Sequence, residues 1–150
     1  MLKTEQPNRA AERSLNLPMR TRNKNPRAEY RLLRSQRIED SVSLAQKFPG
    51  LKSLKVDLEY FDSTGTTRNG GMKYKANLEA AKSLFCFNCM AGDCVGGDYD
   101  LTRQLSRAIA AKRKLVHGEI RCEGVRHNKA RNDKLPCQSI LRYTFSLGYS

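Results

Sequence analysis

The residues best suited to chemistry in this sequence are its five cysteines, all of which lie in the second half of the chain. Three form a close cluster in which Cys86 and Cys89 are separated by two residues, and Cys89 and Cys94 by four. Cys122 and Cys137 follow at wider intervals. Structural zinc is usually held by close pairs of thiolates, because a short turn can direct two sulfurs at one ion while remote segments supply the others. The spacing therefore predicts a metal site.

Only four cysteines can bind one tetrahedral ion, so one of the five is left over. Cys89 belongs to both close pairs, and Cys94 lies beside the turn-forming residues Gly96 and Gly97, whereas Cys86 lies in an apolar stretch. Cys122 and Cys137 fall on two segments that we expect to pair as strands. The predicted ligands are therefore Cys89, Cys94, Cys122 and Cys137, with Cys86 as an alternate ligand.

Zinc is the predicted ion, with a role in folding, and other uses of these thiols remain open. Spacing alone also permits iron–sulfur ligation, although it matches neither familiar ferredoxin pattern. Reduced buried cysteines would serve as small apolar side chains. A redox pair is less favoured, because Cys86 and Cys89 do not open a helix after a strand.

The formal net charge is +13 on 150 residues, which favours polyanionic partners such as nucleic acid or a ribonucleoprotein. The charge is concentrated at both ends. Residues 1–40 hold ten Lys and Arg against five Asp and Glu, residues 41–80 hold six against four, and residues 81–150 hold twelve against six. Phosphate contacts from such residues give salt-dependent binding with little sequence preference.

Three segments supply the candidate phosphate-binding residues: the first helix, the polar face of a later amphipathic helix, and a basic loop at 126–134. For the first helix, an alternative interpretation is that its arginines lay their alkyl stems on the core and keep their charged ends in water. The candidates are Arg31, Arg34, Arg37, Arg103, Arg107, Lys114, Arg126, Lys129 and Arg131.

The N-terminal part of the chain is expected to form a basic arm followed by one helix. Residues 1–25 contain few apolar side chains and two prolines, which predicts a flexible arm. Asn25 and Pro26 suit the N-cap and first position of a helix that we expect to run to about Lys47. Residues 26–150 are predicted to form a single metal-stabilised domain.

Alternating apolar and polar residues predict most of the remaining elements. Residues 51–62 and 72–76 should form a hairpin, and residues 83–87 a short strand leading to the cysteines. A helix capped by Asp98 or Asp100 is expected to continue to residue 115, followed by strands at 116–125 and 139–149. These elements predict an α+β fold with an antiparallel sheet of about five strands, covered by helices on one face and carrying a cysteine–metal knuckle.

The sequence lacks the motifs of several enzyme classes: it contains no phosphate-binding glycine loop, no Gly-x-Ser-x-Gly and no His-Glu-x-x-His. No run of 18 apolar residues is present, and the first residues have no apolar signal segment, so an intracellular, cytoplasmic protein is expected. The predicted function is a small, basic, non-catalytic zinc-stabilised module that binds nucleic acid or a ribonucleoprotein. Two alternatives are a regulatory or adaptor protein that docks an acidic protein partner, and an enzyme with a cysteine nucleophile.

Overall fold

The computed structural model describes residues 26–128 and 133–150. Within these residues the chain forms three helices and nine strands. None of these helices has both the length and the apolar character that crossing a membrane requires. The elements are α1 (Pro26–Asp40), α2 (Leu44–Lys47), β1 (Leu51–Phe61), β2 (Arg68–Lys75), β3 (Cys86–Asn88), β4 (Cys94–Val95), β5 (Asp98–Asp100), α3 (Thr102–Ala110), β6 (Leu115–Arg121), β7 (Val125–Asn128), β8 (Asp133–Pro136) and β9 (Ile140–Tyr149).

The described strands form three antiparallel sheets. The main sheet has four strands in the order β2-β1-β9-β6, and its central pairing places Phe145 opposite Val56 on one side and Val116 on the other. The two smaller sheets are β3-β5 and β4-β7-β8. The predicted α+β class with antiparallel sheets is confirmed, but one sheet of about five strands matches only loosely, since the strands near the cysteines pair separately from the main sheet.

One face of the main sheet packs on the core. Because side chains alternate along a strand, every second residue of β1 and β9 points to this face. Leu105 on α3 and Leu44 on α2 are buried in the same cluster. The cysteine region continues the cluster rather than forming a separate one. The buried members of the cluster that come from the main sheet are Leu51, Leu54, Val56, Leu58, Tyr60, Leu141, Tyr143, Phe145 and Leu147.

The first helical segment is shorter than predicted, because it ends at Asp40 and a second short helix starts at Leu44. After the helix ends, the Val42 carbonyl accepts a hydrogen bond from the Ser83 N–H at 2.7 Å. Ser43 then caps α2, since its side chain accepts a hydrogen bond from the Gln46 N–H. Pairing with residues 81–83 and a new N-cap therefore divide the predicted helix.

Three other predicted boundaries differ from the structure. Asp98–Asp100 is a strand, and α3 begins only at Thr102, whose N–H donates to the Asp100 carboxylate at 3.0 Å. That helix ends at Ala110, and Lys112 adopts a left-handed φ of 53° in the turn that follows. The segment predicted as a loop at 126–134 overlaps β7 and β8, which pair with each other. Residues 129–132 lie outside the described part.

Candidate metal centre

Four of the five cysteines converge at the junction between the two small sheets and the end of the main sheet. Cys89 follows β3, Cys94 begins β4, Cys122 follows β6 and Cys137 follows β8. Backbone hydrogen bonds fix these positions: the Cys122 N–H donates to the Ser139 carbonyl at 2.8 Å, and the Cys137 N–H donates to the Gly124 carbonyl at 2.9 Å. The elements that flank the cysteines therefore hold them in register.

The four sulfur atoms have the mutual distances of a metal-binding group. All four Sγ atoms lie within 4.8 Å of one another, and the Cys89–Cys137 and Cys94–Cys122 distances are both 3.6 Å. A tetrahedron with zinc–sulfur bonds of about 2.3 Å has sulfur–sulfur edges of about 3.8 Å. Each of the four residues is at most 2% exposed. Four buried cysteines at these distances indicate a metal site, and they are the four predicted as ligands.

Hydrogen-bond donors surround the sulfurs of this group. The Ala91 N–H donates to the Cys89 Sγ at 3.5 Å, and the Gly124 N–H donates to the Cys122 Sγ at 3.3 Å. In both cases the donor lies two residues after the cysteine. The buried Tyr99 hydroxyl donates to the Ser139 carbonyl at 3.1 Å and lies 3.8 Å from the Cys89 Sγ. Donors placed in this way favour thiolates, which are the form that binds metal.

The environment drives the thiol pKa values apart. Hydrogen bonds, first from the Cys122 thiol and then from the Ala91 N–H, lower the pKa of Cys89 to about 5. Burial raises the pKa of Cys94 to about 12, and the hydrogen bond to Cys89 raises the pKa of Cys122. Without a metal, these shifts favour the thiolate form of Cys89 and the protonated form of Cys94 and Cys122. A bound divalent cation would replace the protons of those thiols.

Two glycines allow the sulfurs to come together, and sequence reasoning did not identify them as part of the site. A Cβ atom on Gly97 would overlap the Sγ atoms of Cys94 and Cys122. A Cβ atom on Gly124 would lie 2.7 Å from the Cys94 Sγ and 2.6 Å from the Gly97 Cα. Any larger residue at either position would fill the space of the cluster. In the sequence, the signals for this requirement are the positions of Gly97, three residues after Cys94, and of Gly124, two residues after Cys122.

Cys86, predicted as the alternate ligand, lies outside the four-sulfur group. It begins β3, directly opposite Asp100 on β5. Burial, followed by the negative charges of Asp100 and Asp98, raises the pKa of the Cys86 thiol to about 12. This thiol therefore stays protonated at neutral pH.

Helix α1 packs across the cysteine-bearing loops through two arginines that the sequence assigned to nucleic-acid binding. The Arg34 side chain is 10% exposed, and its Nε lies 2.8 Å from an Asp98 carboxylate oxygen. It also donates to the Asn88 side chain at 2.6 Å and to the Gly96 carbonyl at 3.2 Å. Arg31 donates to the Cys89 carbonyl at 3.2 Å. All three guanidinium nitrogens of Arg34 contact the protein itself, so this side chain lacks the free donors that phosphate contact requires.

The other predicted basic residues differ in their availability. Arg37, Arg103, Arg107 and Lys114 are exposed. Arg126 is also exposed, but its Nε contacts both carboxylate oxygens of Asp93 at 2.9 and 3.0 Å. Lys129 and Arg131 lie outside the described residues. Among the described residues, no carboxylate oxygen lies within 4.0 Å of the basic groups of Arg103, Arg107 and Lys114, in and after α3.

Comparisons with protein-family models, with curated proteins and with solved structures gave no match for this chain. Its function must therefore be argued from the cysteine group and from the distribution of charge.

Proposed function

We propose that the protein is a non-catalytic module whose four-cysteine group binds one structural Zn²⁺ ion and whose basic surface binds nucleic acid or a ribonucleoprotein. The sulfur geometry supports the first half of this proposal. Four thiolates in a closed, buried arrangement are typical of structural zinc, because no coordination position is left open for water or substrate. The ion would connect β3, β4, β6 and β8 and so contribute directly to the folding free energy.

Elemental analysis tests the metal. We expect about one zinc per chain in the purified protein and in the variant Cys86→Ser, because Cys86 lies outside the sulfur group. Cys137→Ser removes one ligand and should lose most of the zinc. Five reactive thiols with no bound metal would contradict the proposal. Bound iron with a visible absorption band would indicate an iron–sulfur centre in place of zinc.

The charge around α3 carries the second half of the proposal. Between Arg103 and Lys114 the chain has five basic residues and no acidic one. All five are exposed, and none has a carboxylate oxygen within 4.0 Å in the described part of the molecule. Unpaired cations clustered on one surface favour polyanions, since phosphates would neutralise them and release counterions. The five residues are Arg103, Arg107, Lys112, Arg113 and Lys114.

The salt dependence of binding tests this surface. We expect the zinc-loaded protein to bind a short oligonucleotide at low salt, with affinity falling steeply as salt rises. The variant Arg103→Gln/Arg107→Gln should weaken binding and reduce the slope of log K against log[salt] by about 1.5–2. The variant Lys47→Gln/Lys52→Gln removes the same charge elsewhere and should keep most of the affinity. Binding to an acidic peptide but not to the oligonucleotide would instead support an adaptor for acidic proteins.

A further inference from the structure

The main sheet carries a cleft of about 360 Å³ on the face opposite the core, at the end where β1 and β2 pair near Lys55. It is formed by side chains from β1, β2 and β9, and those from β1 and β9 alternate with the buried residues of these two strands. None of them was among the basic residues that the sequence predicted to bind phosphate. The polar residues that line it are Lys55, Asp57, Lys73, Lys75, Thr144 and Ser146.

Strand register places two lysines of this cleft side by side without a counterion. Lys55 lies directly opposite Lys75 on β2 and opposite Ser146 on β9. Like charges at directly opposed positions destabilise a sheet. Within residues 26–128 and 133–150, neither lysine has a carboxylate oxygen within 4.0 Å. Lysines often protect edge strands such as β2, but Lys55 lies on the central strand β1, where this explanation does not apply.

The remaining charges of the cleft partly compensate each other. Asp57 lies opposite Lys73 and Thr144, and the Lys73 Nζ is 3.8 Å from its carboxylate. This pairing leaves a local surplus of two positive charges at Lys55 and Lys75. The hydroxyl groups of Thr144 and Ser146 border the same space and are half-buried.

We propose that this cleft binds a phosphate group of a nucleic-acid backbone between Lys55 and Lys75. The ammonium groups would supply charge, and the Ser146 and Thr144 hydroxyls would donate hydrogen bonds to the phosphate oxygens. This proposal deepens the proposed function. It rests on that function, because only nucleic-acid binding identifies the source of the phosphate. The arrangement of lysines and hydroxyls itself requires only a phosphate anion.

The cleft adjoins the basic segment at residues 112–114, which follows α3. This position favours an extended polyanion over a single small anion. Ser146 lies opposite Leu115 on β6, and the Leu147 N–H donates to the Lys114 carbonyl at 2.9 Å. Three strand spacings, about 14 Å in total, therefore separate Lys75 from Leu115, which directly follows Lys114. A nucleic-acid strand crossing this end of the sheet would contact the cleft and the residues at 112–114 together.

Two measurements on the zinc-loaded full chain test the cleft. In the first, pyrophosphate is titrated into the protein and amide chemical shifts are followed. The largest changes are expected at Lys55, Lys75, Thr144 and Ser146, and the variant Lys55→Gln/Lys75→Gln should abolish them. In the second, the same variant should weaken oligonucleotide binding about tenfold at low salt and reduce the salt slope by about 1.5–2. Asp57→Asn should strengthen binding, because Asp57 is the one carboxylate among the described residues that line the cleft.

The matched control is Lys47→Gln/Lys52→Gln, which removes two exposed lysines that do not line the cleft. Unchanged oligonucleotide binding by Lys55→Gln/Lys75→Gln, together with weaker binding by Arg103→Gln/Arg107→Gln, would overturn the cleft and leave the proposed function intact. If the unmodified protein binds no oligonucleotide, the proposed function fails, and pyrophosphate shifts confined to the cleft would then mark a site for small phosphates. Shifts spread evenly over the lysines would overturn the site itself.

Discussion

At the scale of single residues, the candidate metal centre depends on small side chains as much as on the cysteines. The sulfur atoms meet only because Gly97 and Gly124 leave their space open. Neither glycine is required by a left-handed backbone, since among the described glycines only Gly65, Gly70 and Gly96 have positive φ. The requirement at these two positions is therefore the close approach of backbone and sulfur.

Replacing either glycine should disrupt the site without removing a ligand. In Gly97→Ala and Gly124→Ala the added methyl group would collide with sulfur or backbone atoms of the cluster, so we expect zinc affinity to fall at least tenfold. Gly92→Ala is the matched control, because a Cβ there meets nothing within 4 Å. Competition with a chromophoric zinc chelator measures the affinities. Equal zinc affinity in Gly97→Ala and Gly92→Ala would contradict this account.

The sequence was sufficient to predict the four cysteines as a group, because thiol chemistry and spacing limit the choices. The sequence left Cys86 as an alternate ligand. Cys86 is held away from the other four cysteines by the pairing of β3 with β5, and this pairing depends on contacts distant in sequence. Tyr99 was missed for a similar reason. The sequence predicted a helix cap at Asp98 or Asp100 rather than a strand, and the Tyr99 hydroxyl contacts Ser139, forty residues away.

At the scale of elements, the notable feature is how α1 is attached. The side chains of Arg31 and Arg34 form hydrogen bonds with residues 88–98, the segment that also carries Cys89 and Cys94. A Cβ on Gly96 would lie 3.6 Å from the Tyr30 ring, so this aromatic side chain lies against the same segment. The order of the cysteine loops and the position of α1 are therefore coupled.

Arg34→Ala should loosen this attachment. The variant removes a hydrogen-bonded ion pair and leaves Asp98, whose pKa is already raised by burial, without the guanidinium that opposes this effect. Hydrogen bonds to charged groups contribute about 1.5–3 kcal/mol, and we expect a decrease of that size in the free energy of unfolding. Urea unfolding of the zinc-loaded protein gives the measurement. Arg37→Ala removes an exposed arginine that forms no ion pair within 4.0 Å in the described part of the chain, so it should change this free energy by less than about 0.5 kcal/mol.

Elements with strict alternation were predicted well, whereas those defined by pairing near the cysteines were not. Residues 51–61 and 140–149 read as strands because their apolar side chains fall on one face. The β7–β8 hairpin carries polar and charged residues in a pattern typical of a loop, and its order comes from pairing with β4 beside Cys94. Local sequence does not contain that information.

At the scale of the whole molecule, one continuous core contains two kinds of stabilising group, apolar side chains in the main sheet and the four cysteines beside the small sheets. The main sheet and α3 bury large apolar side chains, among them Leu54, Leu105 and Phe145, each at most 1% exposed. The small sheets are short, with two to four residues per strand, and the side chains buried around them include the four cysteines. The main sheet should therefore retain order when the smaller sheets lose their metal.

Zinc removal should accordingly produce local rather than global unfolding. After treatment with a strong zinc chelator under reducing conditions, we expect amide hydrogen exchange to accelerate at least tenfold in β4 and β7, while β1 and β9 remain protected. Hydrogen-exchange mass spectrometry before and after chelation measures the difference, and re-addition of zinc should restore protection. Loss of protection to the same extent in β1 and β7 would show that the main sheet cannot persist without the ion.

The positions of the four sulfurs along the chain also set an order of events during folding. The Cys94–Cys122 contact is nested inside the Cys89–Cys137 contact, and the latter joins residues 48 positions apart. Closing a loop of that length costs an unfolded chain about 4 kcal/mol of conformational entropy at 25 °C. The ion would therefore gain all four ligands only after β6 and β9 have paired and brought the distant cysteines near. Metal binding would then be a late step of folding, one that is complete only in chains whose main sheet has assembled correctly.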